Sequence, residues 1–226
     1  MSTGQPPLIR VLVVDDHVMV REGLGCLVRQ QPDLQWMPGA SNLREAAERL
    51  ERDHPEVLVL DLSLGQDSGL DWVKTAVQRH PQLKILILSM HDELLYARRC
   101  FRAGAHGYLM KSQACEEICG AIRRVFHGGL YASEAVRRQP DFPAGADGGG
   151  GPALAEDQFS DVEMEIYRLM SQGLAAAEIA AALGIGALEL QSHLGQIMAK
   201  LGLASADELR RRTIAWHTER RRSPGA

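Results

Sequence analysis

Two apolar runs of this chain end in carboxylate. Ile9-Arg10-Val11-Leu12-Val13-Val14 runs into Asp15-Asp16, and Val57-Leu58-Val59-Leu60 runs into Asp61. In an open parallel α/β sheet, chemistry sits in the crevice at the carboxyl ends of the strands, where the strand order reverses. Three carboxylates gathered there repel one another, and one would stay protonated unless a cation relieved them. A divalent ion does so, and a few hard oxygen ligands suit Mg²⁺, which keeps several waters and often binds phosphate oxygens as well. The chemistry is metal-assisted phosphoryl transfer with an aspartate as the nucleophile. The plainer alternative is that these acids cap the helices that follow them.

Such acids need a sheet to bring them together. Apolar runs predict strands at 9–14, 34–38, 57–61, 84–89 and 106–110, and amphipathic stretches predict helices at 18–30, 42–52, 69–79, 93–103 and 114–127. This rhythm implies a five-stranded parallel sheet covered on both faces, in a doubly wound, flavodoxin-like α/β domain spanning 8–131. The runs Val57–Leu60 and Ile85–Leu88 are apolar throughout, as strands buried on both faces should be. Composition then shifts. Gln139 to Pro152 reads QPDFPAGADGGGGP, too poor in apolar surface to offset its ordering entropy, and 132–153 is expected to be a flexible linker. From 154 to 218 the pattern is helical only. Ser160-Asp-Val-Glu163 and Ser205-Ala-Asp-Glu208 read as capping boxes opening two helices. Between them, Ala175–Leu183 and Ala187–Leu201 flank the turn Gly184-Ile185-Gly186, a helix-turn-helix pattern in an all-α, four-helix domain. A basic tail, 219–226, closes the chain.

The whole-chain numbers exclude more than they specify. At 226 residues the length suits one large domain or two small ones, and a formal charge of −4 gives no global pull toward nucleic acid or membrane. No apolar run approaches the roughly 20 residues needed to span a bilayer, and Met1–Pro7 has no signal-peptide core. Cys26, Cys100, Cys115 and Cys119 lie in apolar periodic stretches without CxxC spacing, so buried thiols are expected. A cytoplasmic location without membrane association follows as the expectation.

The motifs VLVVDDH (11–17), REG (21–23), LDLSL (60–64), LSMHDE (88–93), RAGAHGYLMK (102–111) and GG (128–129) together resemble a response-regulator receiver domain. With the helical region, the chain resembles a two-component response regulator of the NarL/FixJ type, with a LuxR-type C-terminal helix-turn-helix. The resemblance implies that Asp61 is the phosphoacceptor, served by a cognate histidine kinase. It implies Mg²⁺ bound by Asp16 and Asp61, with Asp15 nearby and the backbone carbonyl of Ser63 as a further ligand. Lys111 would pair with Asp61 or with the phosphoryl group, and Ser89 would donate its hydroxyl to a phosphoryl oxygen. Tyr108 would be the switch aromatic, although a plain core role fits it too. The switched surface would be the fourth helix, fifth strand and fifth helix, or the first and fifth helices, and homodimerisation would follow phosphorylation. No enzymatic activity is expected beyond self-phosphorylation and autodephosphorylation. His17 and His91 flank the site and are read as solvent-facing. One departure is Gly65, where the family commonly has proline, which loosens the loop 63–69.

The effector region fits the LuxR-type scaffold at Gly173, Glu178-Ile179-Ala180, Leu183-Gly184-Ile185, His193-Leu194, Ile197 and Lys200-Leu201-Gly202. Its DNA-facing positions depart. Val162 stands where an arginine usually pairs with Glu178, Ala175-Ala176-Ala177 replaces polar and basic residues, and Glu189-Leu190-Gln191 replaces Thr-Val-Lys. The DNA contacts the pattern offers are Gln191, Ser192, His193, Gln196 and Lys200. Glutamines can read adenine, and Glu189 could accept from cytosine. Between Leu154 and Leu209 the bases are only Arg168 and Lys200, against nine acids, an unusual balance for a DNA-binding module. Arg210-Arg211-Arg212 and Arg220-Arg221-Arg222 could bind phosphates or simply complement a helix C-terminus. The last helix, with Leu209, Ile214 and Trp216, is either a second dimer surface or the lid of the bundle core. Two functions are therefore open: a phosphorylation-controlled transcription regulator that binds DNA, and a signalling protein whose helix-turn-helix has turned to protein partners.

Overall fold

In the computed structural model, residues 8–64, 69–139, 142 and 155–222 are described, and the chain divides into two units, Met1–Gly151 and Pro152–Ala226. The first unit alternates β1 (Ile9–Val14), α1 (Val18–Arg29), β2 (Leu34–Trp36), α2 (Leu43–Asp53), β3 (Val57–Asp61), α3 (Gly69–Arg79), β4 (Lys84–Ser89), α4 (Glu93–Arg102), β5 (Gly107–Met110) and α5 (Ala114–Phe126). All pairings are parallel, in the order β2-β1-β3-β4-β5. The order reverses between β1 and β3, the switch point of the flavodoxin-like arrangement, and both strands end there in aspartate.

Burial follows the pleat. Val11, Val13, Val57, Val59, Leu86, Leu88 and Leu109 pack with Leu24 and Val28 of α1 and Ile118, Ile122 and Val125 of α5. The alternate residues Leu12, Leu58, Leu60, Ile85 and Ile87 are buried as well, so helices cover both sheet faces. Short polar side chains set the helix starts. Asn42 Oδ1 accepts from Glu45 N at 2.9 Å, and Asp92 Oδ1 accepts from Leu94 N at 2.8 Å. β2 is shorter than its sequence pattern. Met37 N still donates to Val11 O, but Pro38 has no N–H with which to extend the ladder.

The first unit also runs past residue 131. Tyr131 forms a parallel bridge with Gly107, donating to His106 O at 3.0 Å and accepting from Tyr108 N at 2.8 Å. Gly107 permits this approach: a Cβ there would lie 2.6 Å from Leu86 Cδ1 and 3.0 Å from Tyr131 Cβ. Ser133 then caps a one-turn helix, α6 (Glu134–Arg137), and donates its hydroxyl to Glu93 of α4 at 2.7 Å. Val136 is buried, and Phe142 meets Phe101 edge-on at 5.4 Å. The start of the expected linker is therefore packed structure, while the glycine run 148–151 lies outside the described residues, as does Gly65. The cysteines also differ from expectation. Cys100 is buried, but Cys26 and Cys115 are exposed, because each sits on the outward side of an amphipathic helix.

The second unit begins with a 3₁₀ turn, Ala155–Gln158, followed by α7 (Asp161–Ser171), α8 (Ala176–Leu183), α9 (Ala187–Leu201) and α10 (Ala206–Arg222). The Ser160 capping box forms: Ser160 N donates to Glu163 Oε2 at 2.6 Å, and Glu163 N donates to Ser160 Oγ at 3.2 Å. Gly184, at φ 66°, ends α8 in the left-handed region and makes the turn into α9. Tyr167 is buried between Phe159 and Trp216, with ring centroids 5.2 and 5.1 Å away. Leu209 is buried too, so Leu209 and Trp216 close the core, whereas Ile214 is 51% exposed. Among the described residues no helix is long and apolar enough to cross a membrane.

Candidate functional site

β1 and β3 deliver Asp15 and Asp61 to the same end of the sheet, each only 1% exposed. The Lys111 ammonium, just beyond β5, lies 2.7 Å from Asp15 Oδ2 and 2.7 Å from Asp61 Oδ2. Burial alone would lower the Lys111 pKa, but its bonds to the two carboxylates outweigh that and hold it above its ordinary value. Asp16 is exposed at the rim. Asp15, Asp16, His17 and Asp61 each place one ligand atom within 4.8 Å of the others. Three carboxylates face one ammonium, so the local charge is two negative units when all are ionised. A divalent cation with a preference for hard oxygen matches that deficit, and the donor set fits it.

The surrounding backbone fixes these acids. Asp15 Oδ1 accepts from His17 N at 2.8 Å, and Asp61 Oδ1 accepts from Ser63 N at 3.0 Å, which brings Ser63 to the site. Ser89, fully buried at the end of β4, accepts from His91 N at 3.1 Å. Tyr108 is buried on β5 and donates its hydroxyl to His91 O at 2.9 Å. Burial, followed by Cys100, pushes its pKa well above the ordinary tyrosine value, so it stays a hydroxyl donor.

His17 meets the solvent-facing expectation, whereas His91 is only half-exposed and departs from it. His17 is largely exposed, yet its Nδ1 lies 2.7 Å from Asp16 Oδ1 and 3.2 Å from Asp15 Oδ1. His91 Nε2 is 3.1 Å from Ser63 Oγ, and its ring stacks on Tyr96 at 4.5 Å. His91 thus links the loops after β3 and β4 at the mouth of the pocket. Its position two residues after Ser89 was the available signal. The stacking partner Tyr96, one helical turn into α4, had none.

In the second unit, α9 turns Leu190 and Ile197 inward and leaves Gln191, Ser192 and Gln196 exposed. Lys200 does not join them. Its ammonium lies 2.5 Å from Glu163 Oε2, a carboxylate 1% exposed, because a buried acid must be paired. His193 is half-buried, with Nδ1 buried and without a hydrogen-bond partner among the described residues. Glu178 bonds its own helix start, accepting from Ala175 N at 2.7 Å, while Val162 is exposed. Of the five DNA-contact residues read from the sequence, three face outward together and two do not.

A five-stranded receiver fold with buried acids at its switch point, joined to a helix-turn-helix bundle, defines a class. The response regulator receiver domain family matches residues 11–123, and the bacterial regulatory proteins, luxR family, match residues 157–213. The chain belongs to the response regulators, as a receiver with a LuxR-type helix-turn-helix, the architecture of a transcription regulator. It is similar to the oxygen regulatory protein NreC of Staphylococcus carnosus (strain TM300), at 31% identity over 205 residues, covering 89% of this chain and 94% of the relative. NreC of Staphylococcus aureus (strain bovine RF122 / ET3-1) is 32% identical over the same shares. Among solved structures, a LuxR-family two-component response regulator from Aurantimonas sp. SI85-9A1 matches with TM-score 0.55 and 30% identity, over 58% of this chain and 94% of that one. The RcsB response regulator of Salmonella typhimurium matches with TM-score 0.57 and 22% identity, over 91% and 98%.

Proposed function

We propose that Asp61 accepts a phosphoryl group from a phosphohistidine on a cognate histidine kinase, and that the modified chain controls transcription through DNA bound by its helix-turn-helix. An Asp61 oxygen attacks phosphorus, the N–P bond breaks, its electron pair leaves with the imidazole, and an aspartyl phosphate remains. Asp15, Asp16 and Asp61, with the Ser63 carbonyl, would hold Mg²⁺, which would supply positive charge to offset that of the carboxylates and phosphoryl oxygens. Lys111 moves from carboxylate to phosphoryl oxygen, and Ser89 turns its hydroxyl onto a second one. Tyr108, bonded to the backbone two residues beyond Ser89, carries that change to the surface of α4, β5 and α5. Homodimerisation follows and brings two helix-turn-helix units to paired half-sites. The chain has no catalytic task beyond its own phosphorylation and autodephosphorylation, and it works in the cytoplasm. The observation that carries this reading is the convergence of Asp15 and Asp61, both buried, on the single ammonium of Lys111. Incubation with acetyl phosphate and Mg²⁺ should add one phosphoryl group per chain by intact-mass measurement. Asp61→Asn should add none, and undiminished labelling of that variant would refute the site.

A further inference from the structure

The outward ridge of α9 carries no charge along its crest. At 100° per residue, Leu188, Ser192, Gly195 and Ala199 fall within about 60° of one another, opposite the buried Leu190 and Ile197. All four are exposed, Leu188 by 82%. Gln191 and Gln196 flank this crest on its two sides, also exposed. Gly195 lies mid-helix with nothing within 4 Å of where a Cβ would stand. No close packing within its own domain requires a glycine there, and it weakens the helix relative to alanine. It does allow another molecule to approach the backbone. The single lysine of the helix, Lys200, is committed to Glu163.

We propose that this ridge reads A·T base pairs, with Leu188 packing on the 5-methyl group of a thymine in the major groove. The inference rests on the DNA-binding reading above and specifies its chemistry. The second helix of a helix-turn-helix enters the major groove with its N-terminal residues at the base edges, and Leu188 is the second residue of α9. In that groove thymine alone offers a methyl group, adenine pairs its N6 and N7 with a carboxamide, and guanine is most often met by arginine or lysine. The exposed face of α9 has the aliphatic group and the carboxamides and lacks the cation. Leu188 and the carboxamides therefore favour thymine and adenine at their own positions, while the exposed Glu189 beside Leu188 offers guanine no donor.

The test uses the full-length chain with beryllofluoride and Mg²⁺. A binding sequence is selected from random duplexes, and each thymine of that sequence is then replaced singly by deoxyuridine, which removes only the methyl. One thymine per half-site should be sensitive, with binding weakened about fourfold, the worth of one buried methyl. Leu188→Ala, at a position too exposed to disturb folding, should lose a similar factor on the thymine duplex and become indifferent to deoxyuridine. Deoxyuridine without effect at every position would overturn the proposal, as would Leu188→Ala that keeps the methyl sensitivity or leaves binding unchanged. If the folded protein selects no sequence at any salt concentration, the DNA-binding reading itself fails, and this inference falls with it.

Discussion

Lys111→Met isolates the electrostatics of the phosphoacceptor pocket. The methionine keeps the length of the side chain and removes its charge. Asp15 and Asp61, each 1% exposed, are then left with oxygens no more than 4.8 Å apart and no ammonium between them. Two unit negative charges at that separation repel by about 3.5 kcal/mol at an effective dielectric near 20. Removing one partner of a buried ion pair costs a similar amount, about 3–5 kcal/mol. The receiver should therefore lose about 3–4 kcal/mol at pH 7.5 without divalent ions. Adding Asp61→Asn removes one of the opposed carboxylates and should recover most of that loss, so the two substitutions are strongly non-additive. Millimolar Mg²⁺ should also stabilise Lys111→Met more than it stabilises the parent. Native-state hydrogen exchange at the amides of β3 and β4 reports receiver stability without interference from the second unit. A Lys111→Met receiver within about 0.5 kcal/mol of the parent would show that the ammonium does not hold these acids. Failure of Asp61→Asn to rescue it would refute the charge argument directly.

Two further outcomes follow from ion pairs and burial. Lys200→Met should destabilise the second unit by about 3 kcal/mol, because it strands the buried Glu163 carboxylate. Adding Glu163→Gln should restore much of this, read from thermal melts of the near-ultraviolet signal of Trp216 and Tyr167; an unchanged melting temperature for Lys200→Met would free that lysine for DNA. His106 has its pKa lowered from 6.5 to about 4, first by burial and then by the Lys84 ammonium 3.3 Å from its Nε2. The unfolded chain takes up this proton first, so receiver stability is full above pH 6.5 and declines as the pH falls toward about 4. After allowance for solvent screening the loss is about 1–2 kcal/mol. His106→Gln should flatten that acid limb in urea titrations at pH 4.5 and 7, and an equally steep limb in the variant would assign it elsewhere.

Much of the receiver was legible because its strands advertise themselves. β3 is buried on both faces, so Val57–Leu60 is unbroken hydrophobe, and the carboxylate that ends it stands out. Ser160 and Glu163 were equally legible, since a capping box is written in residues three apart. What was hidden depends on contacts remote in sequence. Lys200 and Glu163 are 37 residues apart, and only the fold reveals that the lysine faces an acid rather than a groove. α6 is four residues long, too short for any periodicity to register, and the glycines and prolines downstream made the whole stretch read as linker. His91 looked like a surface residue because neither its ring partner Tyr96 nor its contact with Ser63 leaves a mark in local composition.

Tyr131 gives the pocket a mechanical consequence. After α5 the chain is fastened by two peptide hydrogen bonds, from the amide of Tyr108 in β5 and to the carbonyl of His106 just before it, ahead of the contacts that α6 and Phe142 make with α4. The same short strand runs on to Lys111. The lever that feels the acid pair and the hitch that holds the outgoing chain are thus one piece of backbone. A shift of β5 is felt directly at Tyr131, the first tether of the segment that continues into α6, and a pull on that segment bears on the strand that positions the lysine.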